Sequence, residues 1–441
     1  MKIKDIVKIK GGKRLPKGEN LQTIPNQHPY IRVRDMKGKF ISLDDLEYVP
    51  DNVFPQIRNY VVNENDVIIS IVGTIGLVSI IDKKLDNASQ TENCAKLSGL
   101  DYIDAQYLYY YLASDFGQEE IRKATVGAVQ PKLPLYGIEN IEIDWKTRNE
   151  RISIVSILES LDKKIQLNTQ INQTLEQIAQ TIFKSWFIDF DPVHAKANAL
   201  ASGQTAEQAT QAAMAVISGK NTQELHRLQT ANPEQYQQLW EIADAFPSGV
   251  DEEGVPWGWE ERELSYLFEF LSGAQPPKSE HIYEEKEGYE RFIQNRDYSN
   301  DNHKTYIPIS KKNKRCTEKD ILMDKYGEAG KVRYGIKGAY NVALAKIVPQ
   351  KDNLREFLRS YFTQDKIRNY LSSSSMASTR NSLNSTTFTR MKVIVPNDFL
   401  LSTFDKLANE KIDKILQIKQ ENIELSKLRD YLLPKLLSGE V

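Results

Sequence analysis

At 441 residues the chain is too long for a single core, so two or three domains are expected. Charged residues make up 27% and hydrophobic ones 40%, and no apolar run reaches the ~18 residues of a membrane helix, so no membrane span is read. Cys94 and Cys316, the only cysteines, lack a CxxC partner or a histidine cluster, which argues against a zinc site and for two reduced thiols.

The opening "MKIKDIVKIKGG" has no apolar signal region, so a cytoplasmic location is expected. A net charge of −2 conceals strong asymmetry. Residues 1–40 hold eleven Lys and Arg against three acids, and residues 304–346 hold eleven against four. Between them, residues 191–263 hold four bases against twelve acids. Two basic regions flanking an acidic one fit a polyanion contacted at two places, or solvated surface charge.

Near the start, Lys10, Lys13, Arg14 and Lys17 cluster around Gly11-Gly12, a flexible loop suited to phosphates. "YIRVRDM" follows, carrying Arg34. "ENDVIISIVGTIG" at Glu64–Gly76 reads as a buried strand entering a tight turn at Gly73 and Gly76. "YIDAQYLYYYLASDFGQEEIRKA" has helical spacing, with its aromatics expected in a core. The polar loop "GAVQPKL" comes next. Its Gln130 could pair bidentately with adenine, and Lys132 stands beside it.

After Trp145, Ile154, Leu158, Leu161, Ile165, Asn168, Asn172, Leu175, Ala179, Ile182 and Trp186 follow steps of four and three. This is a heptad seam of ~28 residues, about 42 Å long, broken by two asparagines. In "IFKSWFIDFDP", Phe183, Trp186, Phe187 and Phe190 share one face, suited either to internal packing or to docking a partner subunit. Residues 191–258 are rich in Ala, Gln and Glu. "TAEQATQAAMAVI" and "NPEQYQQLWEIADAF" there predict helices, and a Pro/Gly linker follows.

The rest of the chain echoes the first part. "EKDILMDKYGEAG" at Glu318–Gly330 repeats the Asp, apolar strand and glycine pair 254 residues on. "RFIQNRDY" matches "YIRVRDM", aligning Arg296 with Arg34, and "ASTRNSL" lies 250 residues after "GAVQPKL". In that loop Arg380, with Asn381 beside it, could pair with guanine. A rougher seam of Ile415, Ile418, Asn422 and Leu425 leads to "LRDYLLPKLLSGEV", where Pro434 and Gly439 are expected helix stoppers. Leu432 and Leu436 in this segment suit internal packing or a partner surface.

The fold class is therefore mixed α/β (α+β): two tandem globular domains joined by two long helices in an antiparallel coiled coil, with an internal pseudo-twofold repeat. The expected boundaries are 1–150 and 259–396 for the mixed domains. The long helices are placed at 151–190 and 397–441, and the acidic helical insertion at 191–258. Asn172 and Asn422 would fix register, or be solvated breaks. No nucleotide-binding loop, dinucleotide fingerprint, metal-ligand spacing, amino-methyltransferase tetrapeptide or catalytic triad is present, so no catalytic residue, metal or cofactor is assigned to this chain.

These motifs strongly resemble the specificity subunit of type I restriction-modification systems. "IFKSWFIDFDPVHAKA", "LRDYLLPKLLSGEV", "GVPWGWE", "NENDVIIS…GTIG" and "GAVQPKL" carry the resemblance, which spans the chain apart from the insertion; "SSSSMASTRNS" departs from the usual loop. The resemblance implies a non-catalytic DNA-binding subunit with two target-recognition domains. Each would read one half of an interrupted, asymmetric site in double-stranded DNA, with the helical rod as a ruler. It also implies two methylation subunits that supply S-adenosylmethionine and flip the target adenine, and restriction subunits that use ATP and Mg. A coiled-coil scaffold binding peptides is the alternative from another class. A nuclease with an unrecognised site would need a carboxylate cluster, and none is found.

Overall fold

The computed structural model describes residues 1–299, 303–376 and 382–440. Its two longest helices are Arg148–Phe187, of 40 residues, and Asp398–Ser438, of 41. A Thr-x-x-Glu capping box starts the first: the Thr147 N–H donates to Glu150 Oε2 at 2.8 Å, and the Glu150 N–H donates back to Thr147 Oγ1 at 3.5 Å. The helix runs six residues before Ile154 and one beyond Trp186, and the seam's own ends enter globular cores. The chain divides into two compact units, Met1–Leu167 with Glu421–Val441, and Asn168–Gln420. Each unit thus contains a segment of both long helices.

In the first unit, strands Lys8–Gly11, Cys94–Ser98, Val67–Ser70 and Val78–Ile80 form an antiparallel sheet in that spatial order. The central strand, VIIS, is covered on both faces and so shows no polar alternation. A smaller sheet pairs Pro29–Ile31 antiparallel with Glu47–Tyr48 and parallel with Ser89–Gln90. Helix Tyr102–Ala113 starts at Asp101, whose carboxylate accepts the Asp104 N–H. Its Tyr107 and Leu108 share one core with Val67, Ile69 and Leu97 of the sheet, Ile154 and Leu158 of the first long helix, and Leu436 and Leu437 of the second. Burying each such side chain contributes about 1.5–3 kcal/mol. The helix pair runs antiparallel here. Arg429 donates to Asp162 at 3.0 Å, while Asn422 reaches the Ile165 carbonyl at 3.5 Å. Asp162 also accepts from Tyr110 at 2.6 Å and from Lys39 at 3.3 Å, which ties the mixed domain to the helices.

The second unit repeats this plan. Strands Phe268–Ser272, Leu344–Pro349, Ile321–Asp324 and Val332–Arg333 lie in the corresponding order, again antiparallel. Tyr289–Ile293 pairs antiparallel with Tyr306–Pro308 and parallel with Gly338–Tyr340, which also pairs with Arg315–Cys316. Helices Arg355–Thr363 and Asp365–Met376 take the place of Tyr102–Ala113 and Asp115–Ala124. Phe183, Trp186 and Phe187 of the first long helix, and Leu400 and Phe404 of the second, complete the core around Phe357 and Met323.

The seam lies inward as its spacing requires: Ile154, Leu158, Asn168, Asn172, Ala179 and Trp186 are buried, and Ile415 and Ile418 match them. Pro434 departs from the expectation. It lies inside the second long helix, which runs on to Ser438 and stops at Gly439 in the left-handed region, φ 80°. The cost of an internal proline, about 3 kcal/mol, is offset by burial of Leu436 and Leu437 two and three residues later.

The insertion folds as four helices, Asp191–Ala201, Ala206–Ser218, Thr222–Ala231 and Pro233–Asp244. Thr205 with Gln208 and Asn221 with Glu224 form capping boxes. Its small core is Ala213, Met214, Leu225 and Ala243. Buried Lys196 donates to the carbonyls of Ala243, Asp244 and Phe246 at the end of the last helix, where the dipole favours a cation.

Candidate nucleic-acid interface

The repeated motif builds the frame of each site. In the first unit the Asn63 N–H donates to Asp66 Oδ2 at 2.9 Å, and Lys96 lies 3.4 Å from the same carboxylate. In the second, the Thr317 N–H donates to Asp320 at 2.7 Å and Lys346 lies at 2.9 Å. The two carboxyls titrate in opposite directions. Burial pushes Asp66 above its usual range, and Asn63 and Lys96 only partly offset it. Burial also raises Asp320, but the shorter Lys346 contact and the Thr317 N–H outweigh it and hold the group low. Beyond each strand, Gly76 and Gly330 adopt φ of 87° and 91° and return N–H bonds to the Ser70 and Asp324 carbonyls. A Cβ on Gly330 would lie 2.7 Å from Leu371 Cβ, so the residue also permits close helix packing.

The exposed edge follows from three sets of backbone bonds. In the first unit Gly12 N donates to Cys94 O at 3.0 Å and Lys13 N to Gln90 O at 2.9 Å. Ile71 N then donates to Asn93 O at 2.8 Å and Leu133 N to Ile71 O at 3.0 Å. Val126 and Lys132 exchange two 2.9 Å bonds and close a hairpin, with Val129 at its tip 94% exposed. This brings Lys13-Arg14, Glu92-Asn93, Thr74 and Gln130-Lys132 onto one rim. The second unit repeats the first two of these sets: Gly273 N to Leu344 O at 3.0 Å, Ala274 N to Tyr340 O at 3.2 Å, Lys325 N to Ala343 O at 2.8 Å and Leu383 N to Lys325 O at 3.1 Å.

Of the sequence-predicted residues, Lys10, Lys13, Arg14, Lys17, Gln130 and Lys132 are exposed. Lys10 donates to the Asn59 carbonyl at 2.6 Å, and the Lys10 and Lys13 ammoniums lie 4.8 and 5.7 Å from the Tyr60 ring centre. Arg14 pairs with Glu92 at 2.6 Å. Burial raises the Glu92 carboxyl, but the Arg14 hydrogen bond brings it below its usual range. Arg34 and Arg296 are alike. Each flanks a buried aspartate, Asp35 or Asp297, that caps a short turn, and Arg34 also reaches Glu47 at 3.1 Å. Arg380 and Asn381 lie outside the described residues.

The basic run at 304–346 is less available than its composition suggests. Arg315 pairs with Glu290, Lys319 with Asp413, Lys331 with Glu328, Arg333 with Asp324 and Lys346 with Asp320. Lys311, Lys312, Lys314 and Lys337 are exposed. Sequence reasoning did not single out Thr74, Asn93, Lys325 or Tyr326. The repeat offset of 254 that aligns Asp66 with Asp320 also aligns Ile71-Val72 with Lys325-Tyr326, and was the signal that could have found the latter pair. Burial pushes the Cys94 and Cys316 thiols up to about 12, so both stay protonated. Among the described residues, no cluster of His, Cys, Asp or Glu could hold a metal ion.

For the aromatic stripe, the structure displays internal packing. Phe183 is 0% exposed and stacks edge-on against Phe187 and Phe357, Trp186 and Phe187 are buried beside it, and Phe190 packs at the margin. Leu436 is buried in the first unit's core and Leu432 packs at its margin. The apolar side chains left outward are others. Ile171 and Ile178, one heptad apart, are exposed in the second unit, as are Leu428 and Tyr431 in the first.

A family model described as the type I restriction modification DNA specificity domain matches residues 1–177 and 256–429, passing over the insertion. The specificity subunit of the type I restriction enzyme HindI from Haemophilus influenzae is 36% identical over 394 residues, covering 83% of this chain and 84% of its own. The type I restriction enzyme MjaIX specificity subunit from Methanocaldococcus jannaschii is 24% identical over 456 residues, covering 100% and 92%. Among solved structures, the S subunit of a type I restriction-modification system from M. genitalium covers 99% of this chain and 95% of its own, with a TM-score of 0.50 and 17% identity, a likeness of fold.

Proposed function

The chain belongs to the type I restriction-modification DNA specificity family, and from that premise we propose that each of its two mixed units reads one half of an interrupted, asymmetric site in duplex DNA. The observation that carries this reading is one backbone frame built twice with different side chains on its exposed edge. Such an edge suits two different sequences read by one scaffold. In the first unit the cations Lys10, Lys13, Arg14 and Lys17 face phosphates, and Gln130 on its hairpin reads a base edge with Lys132 beside it. Arg34 and Arg296 are the paired cations beside the two capping aspartates, and Arg380 with Asn381 belongs to the second reading loop.

The subunit recognises and other chains catalyse. Two methylation subunits bring S-adenosylmethionine, and restriction subunits bring ATP and Mg. The methylation subunits dock through helices on the outward faces that carry Ile171 and Ile178, and Leu428 and Tyr431. Heptad spacing of exposed apolar residues suits a partner helix.

Methylated adenines mapped in DNA from cells expressing this chain with its methylation subunit should define a split site. Exchanging residues 1–150 with those of another family member should change one half of that site and leave the other. A change in both halves, or in neither, would overturn the reading.

A further inference from the structure

Resting on the recognition reading above, we propose that Lys325 is a phosphate-contacting residue of the second unit, supplying from another sequence position the cation that Lys10 and Lys13 supply in the first. The equivalences are fixed by backbone pairing. Lys10 faces Lys96 across the sheet as Leu271 faces Lys346, and Gly11 faces Ala95 as Ser272 faces Ala345. Lys13 N donates to Gln90 O as Ala274 N donates to Tyr340 O. The second unit therefore has Leu271 and Ala274 where the first has its two lysines.

Lys325 fills that gap. It occupies the position of Ile71, because Leu383 bonds to its carbonyl as Leu133 bonds to that of Ile71. Its Nζ donates to Ser272 Oγ at 2.9 Å, which brings the ammonium to the residue between the two missing cations. Ser272 is itself exposed, so the charge lies one hydroxyl below the surface. Exposed Tyr326 flanks it, with the ammonium 5.7 Å from the ring centre. Among the described residues no carboxylate pairs with Lys325, and the adjacent Asp324 is held by Arg333 at 2.7 Å. The ammonium has three donors, sits on a residue only 8% exposed, and is bonded to a neutral hydroxyl. A phosphate oxygen arriving at Ser272 would supply a counter-charge.

The test uses the full chain assembled with its methylation subunit and a duplex carrying the mapped site. Lys325→Met keeps the alkyl stem and removes the charge. It should weaken binding of cognate and unrelated duplexes by similar factors and lower the slope of log affinity against log salt by about 0.9, one phosphate contact. Lys325→Arg should restore the slope. In the unmodified complex, hydrogen exchange of the peptides carrying Ser272 and Lys325 should slow when duplex is added, a measurement that does not depend on the variant folding. An unchanged slope for Lys325→Met, or exchange of those peptides unaffected by DNA, would overturn this assignment alone. Salt-independent binding by the unmodified complex would overturn the recognition reading with it.

Discussion

In the first unit Lys96 stands 3.4 Å from Asp66, and in the second Lys346 stands 2.9 Å from Asp320, at the same point of the same sheet. Deeper burial of Asp66 lifts its carboxyl, whereas Asp320, less buried and held by the closer Lys346 and the Thr317 N–H, is kept low. At the rim the difference is larger. The first unit carries Lys10, Lys13 and Arg14 on its glycine loop and Ile71-Val72 beneath. The second carries Leu271, Ala274 and Gln275 on the loop and Lys325-Tyr326 beneath. The comparison teaches that backbone geometry is the inherited part, and that charge is free to move among positions the backbone brings together.

The sharpest way to break the symmetry is at the helix ends. Phe183 in the second unit lies 250 residues before Leu433 in the first, so both units receive an apolar plug from a long helix. Phe183→Ala should cost the second unit about 3–5 kcal/mol by leaving a cavity, while Leu433→Ala, at a partly buried site, costs the first unit less. Hydrogen exchange of peptides from each sheet, in the full chain, would separate the two. Ile178→Glu, on the outward face, should leave stability within about 0.5 kcal/mol and reduce co-purification with the methylation subunit.

The close approach at the loops should behave the same way in both units. A Cβ on Gly12 would lie 2.1 Å from the Thr91 carbonyl oxygen, and one on Gly273 2.1 Å from that of Asn341. Gly12→Ala and Gly273→Ala should each cost about 1–3 kcal/mol, since backbone oxygens cannot step aside. Each loss should appear as faster exchange in its own unit only. Equal loosening of both units by either variant would contradict the division of the chain.

The aspartates offer a smaller, signed difference. Asp320 has a folded pKa below its unfolded value near about 3.9, so its contribution is present above that pH and lost as pH falls through the folded value. Asp66 is raised, so its contribution is fully present below about pH 3.9 and lost as pH rises through the folded value. At pH 7, Asp320→Asn should destabilise the second unit by about 1.5–3 kcal/mol, with Asp66→Asn the milder change in the first. Carbon-13 titration of the two carboxyls would check the signs directly. Smallest in stability is Gln130→Ala, on an exposed hairpin. It should leave unfolding within about 0.5 kcal/mol and change base preference in the first half-site by about 1–3 kcal/mol. Normal preference at every position would remove Gln130 from the reading loop.

Much of this architecture was legible in the residues because its signals are local. A heptad seam marks itself by spacing, a turn at φ near 90° requires glycine, and Asp66 and Asp320 repeat with their strands and glycines at one offset. These features fixed two units, the long helices and the frame of each rim. The segments "TAEQATQAAMAVI" and "NPEQYQQLWEIADAF" likewise marked the helices at 206–218 and 233–244.

What the residues alone could not decide was which of them meet across long chain separations. Whether Phe183 and Trp186 face a core or a partner depends on Phe357 and Phe404, more than 170 residues away. Whether a basic run is available depends on distant carboxylates such as Glu290 and Asp413. The environment of Lys325 depends on Ser272, 53 residues earlier in the chain. Spacing along a chain encodes the shape of an element, whereas burial and charge pairing are set by the packing of elements against one another, and that only the tertiary structure decided.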